Sequence, residues 1–99
     1  MKKIKTRVFD TSEFLTSEKQ MVAYLEEAFS EGDPRLVTEA LGAIAKARGM
    51  ARIAKATGLR RESLYKALST DGNPEFATIL KVVKALGIRL HAETALAAV

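Results

Sequence analysis

Four polar side chains in the middle of the sequence have the spacing of one face of a short helix. They are Arg61, Glu62, Tyr65 and Lys66. The guanidinium of Arg61 can donate to the O6/N7 edge of guanine, and the carboxylate of Glu62 can accept from the amino group of cytosine. Lys66 can contact either guanine or a phosphate. The pattern therefore predicts that these side chains contact bases in the DNA major groove. For Glu62, pairing with Lys66 or with the helix dipole stays an alternative, and Tyr65 suits a base, a phosphate or a neighbouring helix equally.

These side chains belong to the second helix of a predicted pair. The first helix spans Met50 to Ala56 and the second Arg61 to Leu68, with Thr57-Gly58-Leu59 as the turn. Gly58 can adopt the left-handed conformation that such a turn requires. The apolar positions that would join the two helices are Ile53, Ala54, Leu59, Leu64 and Leu68. A helix-turn-helix presents its second helix to DNA in this way, although an ordinary helical hairpin with a solvated charged face gives the same periodicity.

Charge along the chain is strongly divided. Between residues 46 and 66 there are seven Lys or Arg and one acid, a local net charge of +6 in a chain whose total is +4. This concentration predicts contacts with DNA phosphates, from Lys46, Arg48, Arg52, Lys55 and Arg60. Between Asp10 and Glu39 the net charge is −6. Solvated helix faces account for some of this, but a separate surface for a basic protein partner would give the same division.

Composition excludes several other classes of function. The 99 residues suit one domain, with no Cys, no Trp and one His, so no disulfide, thiolate catalysis or Cys-based zinc site is available. Glu26 and Glu27 are adjacent and point in different directions on a helix, and no other pair of groups forms a catalytic constellation. We expect no cofactor and no metal. The sequence lacks an apolar run of membrane-spanning length and a signal peptide, which predicts a cytoplasmic protein.

The remaining elements follow from caps and hydrophobic periodicity. We expect a strand or arm over Lys2 to Phe9 and a second strand over Ile88 to Ala92. A helical turn should run from Asp10 to Leu15, and a helix capped by Thr16-Ser17 should span 18–31. Two further helices should run from Asp33-Pro34 to Gly49 and from Asn73-Pro74 to Leu86. The two strands could pair with each other or with a second copy. The helix after Pro34 has a predicted buried stripe of Leu36, Val37, Ala40, Leu41, Ile44 and Ala45.

The stretch from Asp33 to Arg89 resembles the Xre-type helix-turn-helix proteins of the addiction-module antidote group, which are HigA-like antitoxins. The most specific residues read ARGM..IAK.TGL.RE.LYKALS.DGNP.F.T..KV.KALG, where dots are variable positions, and FDTSEFL and VAYLEEAF extend the similarity upstream. The resemblance implies an all-α, five-helix phage-repressor-like domain with short terminal strands. It would span 1–99, with the helix-turn-helix core at about 34–87 and an N-terminal arm and helices at 1–33.

The resemblance also implies partners and residue roles. Such antitoxins are usually homodimers, neutralise a small basic RelE-like toxin and repress their own operon by binding its operator. Arg52 would then face phosphates, while Arg61, Glu62 and Lys66, with Tyr65 beside them, would read bases. Arg60 departs from the family, where a Ser commonly caps this helix. Two alternatives remain, a stand-alone Xre-family transcriptional regulator and a toxin-neutralising module without specific DNA binding.

Overall fold

Five α-helices form within residues 17–95, the part of the chain that the computed structural model describes. They are α1 (Glu18–Glu31), α2 (Pro34–Arg48), α3 (Met50–Thr57), α4 (Arg61–Ala67) and α5 (Phe76–Ala85). The described chain is thus all-α, as predicted, and the helix bounds lie within one or two residues of those expected. None of these helices is long and apolar enough to cross a membrane.

Two of the helices begin at the predicted side-chain caps. The hydroxyl of Ser17 accepts a hydrogen bond from the amide of Gln20 at 3.3 Å. The carboxylate of Asp33 accepts one from the amide of Arg35 at 2.9 Å, and Pro34 follows at the first helical position. Each cap satisfies an amide that has no partner inside its helix, so the starts of α1 and α2 are determined locally.

The hydrophobic core is built around α2, which packs against α1, α3 and α5. Leu41 and Ile44 of this helix are fully buried. The buried core draws on all five helices: Met21, Leu25, Ala28, Ala40, Leu41, Ile44, Ala45, Met50, Ile53, Ala54, Leu64, Leu68, Ile79, Val82, Val83 and Leu86. α3 packs against both α4 and α5. α4 therefore contacts the core through α3 and through the buried side chains of Leu64 and Leu68.

The predicted strand over Ile88 to Ala92 is wrong, because residues 86–95 form no strand. Gly87 adopts a left-handed φ of 78°, and the amide of Ile88 donates to the carbonyl of Val83 at 3.1 Å. That amide closes the end of α5 in the usual glycine-terminated motif. Ile88 and Leu90 pack against the core, which explains the alternating pattern without a strand. The predicted arm over Lys2 to Phe9 and the turn over Asp10 to Leu15 lie outside the described residues.

One position of the predicted stripe in α2 is also wrong, since Leu36 is 38% exposed. At about 100° of rotation per residue, Leu36 lies roughly 140° around the helix from Leu41, the most buried part of the stripe. It is therefore on the flank of α2 and not on its buried face.

The turn after α4 contains a close backbone approach at Gly72. A Cβ atom there would lie 2.6 Å from the carbonyl oxygen of Lys66 and against that of Ala67, which are two of the last carbonyls of α4. We predict that Gly72→Ala lowers the free energy of unfolding by about 1–3 kcal/mol, the usual effect of overpacking a site that cannot expand. Thermal unfolding of the variant and of Asp71→Ala, an exposed neighbour, measures this. Equal melting temperatures for Gly72→Ala and the wild type would contradict the prediction.

Candidate nucleic-acid interface

The turn between α3 and α4 is held by its own hydrogen bonds. Gly58 has a left-handed φ of 77°, as predicted, and its amide donates to the carbonyl of Ala54 at 2.9 Å. The Thr57 hydroxyl donates to the same carbonyl at 3.0 Å and accepts from the amide of Leu59 at 3.3 Å. These bonds satisfy the groups left free where α3 ends, so α4 leaves the turn in a defined direction.

α4 turns its apolar side toward the core and its polar side toward solvent. Leu64 has no exposed surface and Leu68, just after the helix, is 5% exposed. The four side chains predicted to contact bases are all exposed: Arg61, Glu62, Tyr65 and Lys66. The structure thus places them together on the outer side of one short helix, while their contact with bases stays a prediction.

Arg61 and Tyr65 form a cation–π pair on this outer side. The guanidinium carbon of Arg61 lies 5.9 Å from the centroid of the Tyr65 ring, at the outer limit of such interactions. This pair was not predicted from the sequence, although a spacing of four residues on a helix is a signal for it. The pair places the guanidinium of Arg61 beside the ring of Tyr65 on the exposed side of α4.

The cations predicted to contact phosphates lie on the elements that precede α4 in the chain. Lys46 is in the last turn of α2, Arg52 and Lys55 are on α3, and Arg60 immediately precedes α4. All four are exposed. Since α2 packs on α3 and α3 on α4, positive charge extends from the end of α2 to the start of α4. Such a surface suits the backbone of a nucleic acid.

Arg48, the fifth predicted phosphate contact, is in a different setting. Its guanidinium lies 4.0 Å from the carboxylate of Glu18, and its side chain is only 24% exposed. This ion pair joins the end of α2 to the start of α1, where a helix C-terminus favours a cation and a helix N-terminus an anion. Arg48 therefore has a structural partner, and its contact with phosphate remains a prediction.

Arg60 precedes α4 with an extended backbone and makes no side-chain cap, consistent with the departure noted in the sequence. We predict that Arg60→Ser stabilises the fold by about 1 kcal/mol through a new cap and weakens DNA binding at every sequence, with a salt slope smaller by about 0.9. Arg60→Ala is the matched control, because it removes the charge without adding a cap. If Arg60→Ser and Arg60→Ala have the same melting temperature, the predicted stabilisation by a new N-cap is wrong.

The acidic side chains near α4 do not suggest that this region binds a metal ion. In residues 17–95, no group of three or more His, Cys, Asp or Glu side chains is placed to bind a metal ion. Between residues 46 and 66 there are seven bases, and Glu62 is the one acid. The arrangement is therefore suited to binding an anionic partner through charge and hydrogen bonding.

Comparison with known proteins identifies the family of the chain. Residues 5–94 match the model of a family described as "Probable addiction module antidote protein". A protein of Haemophilus influenzae, described as uncharacterized, is 49% identical over 85 residues, which cover 86% of this chain and 88% of that protein. No solved structure matches the chain. The chain belongs to the family of probable addiction module antidote proteins.

Proposed function

We propose that this protein is the antitoxin of a type II toxin–antitoxin module, which neutralises a RelE-like toxin and represses its own operon by binding operator DNA. The antidote family supports the antitoxin role and implies a toxin partner. The exposed polar face of α4 carries the DNA-binding part of the proposal. Five of the seven bases between residues 46 and 66 lie outside α4, on the elements that precede it, and this concentration of charge suits contacts with DNA phosphates.

In this proposal α4 is the recognition helix. Arg61, Glu62, Tyr65 and Lys66 meet base edges in the major groove, and each good base contact contributes about 1–3 kcal/mol of discrimination. The surrounding cations contact phosphates, which supply affinity without sequence preference. The two groups of residues have separable effects, because base contacts alter sequence preference while phosphate contacts alter salt dependence.

We also propose that the protein binds its operator as a homodimer. A core drawn from only about a hundred residues gives modest stability to a monomer, and helix-turn-helix dimers bind half-sites about 34–36 Å apart. Light scattering at high micromolar concentration should give the mass of two chains. A strictly monomeric mass would contradict this part of the proposal.

The neutralising part is tested with the product of the gene adjacent to this one. If that gene encodes a RelE-like ribonuclease, its cleavage of mRNA should stop when this protein is added in equimolar amount. Heat-denatured protein and an unrelated protein of similar charge are the controls. Complete cleavage in the presence of excess protein would contradict the antitoxin function. The stand-alone regulator would then remain, provided that operator binding is observed.

A further inference from the structure

An open, largely apolar cleft lies where the end of α1, the start of α2 and the start of α5 meet. Its volume is about 350 Å³. The lining residues come from these three helices and from the turns before α2 and α5, and they include Phe29, Asp33, Thr38 and Phe76. Residues of α3 and α4 do not line it, and the cleft shares no residue with the basic face, defined by Lys46, Arg52, Lys55, Arg60, Arg61 and Lys66.

Aromatic side chains at the cleft are unusually accessible. Phe76 is 66% exposed and Phe29 is 42% exposed, although burying a phenylalanine side chain stabilises a folded protein. The one buried polar side chain of the described core, Thr38, already donates to the carbonyl of Pro34 at 3.0 Å. The cleft therefore offers apolar contact area and does not contain an unsatisfied polar group awaiting a small polar ligand.

The segments that form the cleft are acidic. Residues 26–39 contain five acids and one base, and residues 71–80 contain two acids and no base. Asp33 itself lines the cleft, and Glu75 directly precedes Phe76. An apolar depression on acidic segments is complementary to a basic surface that projects an apolar side chain, since charge directs the encounter and apolar burial supplies affinity.

We infer that this cleft is the docking surface for the basic toxin and receives an apolar side chain of that partner between Phe29 and Phe76. The inference rests on the proposed antitoxin function and adds the location of the interface. The cleft and α4 share no lining residues, so substitutions in the cleft can be tested without altering α4.

The test compares Phe76→Asp with Ala77→Asp by calorimetric titration against the product of the adjacent gene. Both changes add one carboxylate to the first turn of α5, where negative charge is favourable, and both sites are exposed. Only Phe76 lines the cleft. We expect Phe76→Asp to weaken toxin binding by about 30-fold or more, as for a central aromatic anchor, even though it makes the surface more acidic. Ala77→Asp should bind as the wild type does.

Three results would overturn the location of the interface without overturning the proposed antitoxin function. Unchanged toxin binding by Phe76→Asp would place the interface elsewhere while leaving the antitoxin function intact. Separation of a wild-type dimer into monomers by this variant alone would show that a second copy occupies the cleft. Faster proteolysis within residues 1–16 of the variant would assign the cleft to the N-terminal arm. If the wild type does not bind the toxin, the antitoxin proposal itself is wrong.

Discussion

Replacing Arg61 with alanine is expected to reduce affinity for the operator by about 5- to 150-fold, the equivalent of one good base contact. Arg61 is exposed at the first position of α4, and alanine is the best helix former, so the helix itself should persist. The loss of the contact with the Tyr65 ring should change stability by less than about 1 kcal/mol. Titration of the variant against operator variants, one base pair changed at a time, should show relaxed preference at one position.

Lys55→Ala is the matched control for this change, because it removes one exposed cation from α3. It should weaken binding to all duplexes equally and lower the salt slope by about 0.9. Arg61→Ala should instead reduce the difference between operator and scrambled DNA. If Arg61→Ala retains both the affinity and the sequence preference of the wild type, α4 is not the recognition helix.

The largest loss of stability is expected for Leu64→Ala. Leu64 is on α4 and has no exposed surface, so truncating it removes apolar burial and leaves a cavity. Such changes lower the free energy of unfolding by about 2–5 kcal/mol, out of the roughly 5–15 kcal/mol typical of a whole domain. Thermal or urea unfolding followed by circular dichroism measures the difference, and we expect a melting temperature at least about 10 °C lower.

Ser63→Ala is the control for Leu64→Ala, as it alters the adjacent exposed position of the same helix. Its stability should be within about 0.5 kcal/mol of the wild type. If both variants unfold at the wild-type temperature, α4 does not depend on Leu64 for its attachment to the core. In that case the outer face of α4 would not be held in the position that the proposed DNA contacts require.

Local signals in the sequence were sufficient to predict that the helices exist, although the expected start of α5 at Asn73-Pro74 is wrong, since α5 begins at Phe76 without a side-chain cap. Ser17 and Asp33 accept hydrogen bonds from amides two or three residues later, and the amide of Gly58 donates to the carbonyl of Ala54. These effects do not depend on the rest of the fold. The exposure of Arg61 and Lys66 followed in the same way, because the opposite side of α4 carries Leu64. For these features the physical cause lies within one or two helical turns.

Features that depend on distant parts of the chain were not predicted correctly or were missed. The alternation at 88–92 is explained by packing on the core and by the closure of α5 through Ile88, and neither is visible as a periodicity. The ion pair of Arg48 with Glu18 joins residues that are far apart in sequence. The cleft at Phe29 and Phe76 likewise requires three helices to meet, so no short pattern could indicate it.

The separation of charge in the sequence corresponds to two surfaces in the structure. Positive side chains extend from the end of α2 through α3 to α4, whereas the acidic segments form the cleft at the starts of α2 and α5. The proposed sites for a polyanion and for a basic protein therefore use different residues.

The most direct test of the account is a titration of the purified protein against its own upstream DNA and a scrambled duplex at two salt concentrations. We predict that the upstream DNA binds at least about 100-fold more tightly, within the usual range for specific recognition, and that both affinities fall steeply with salt. Half-sites about one helical turn apart should be protected. Equal, salt-sensitive binding to the two duplexes would contradict operator recognition and reduce the basic face to a non-specific surface.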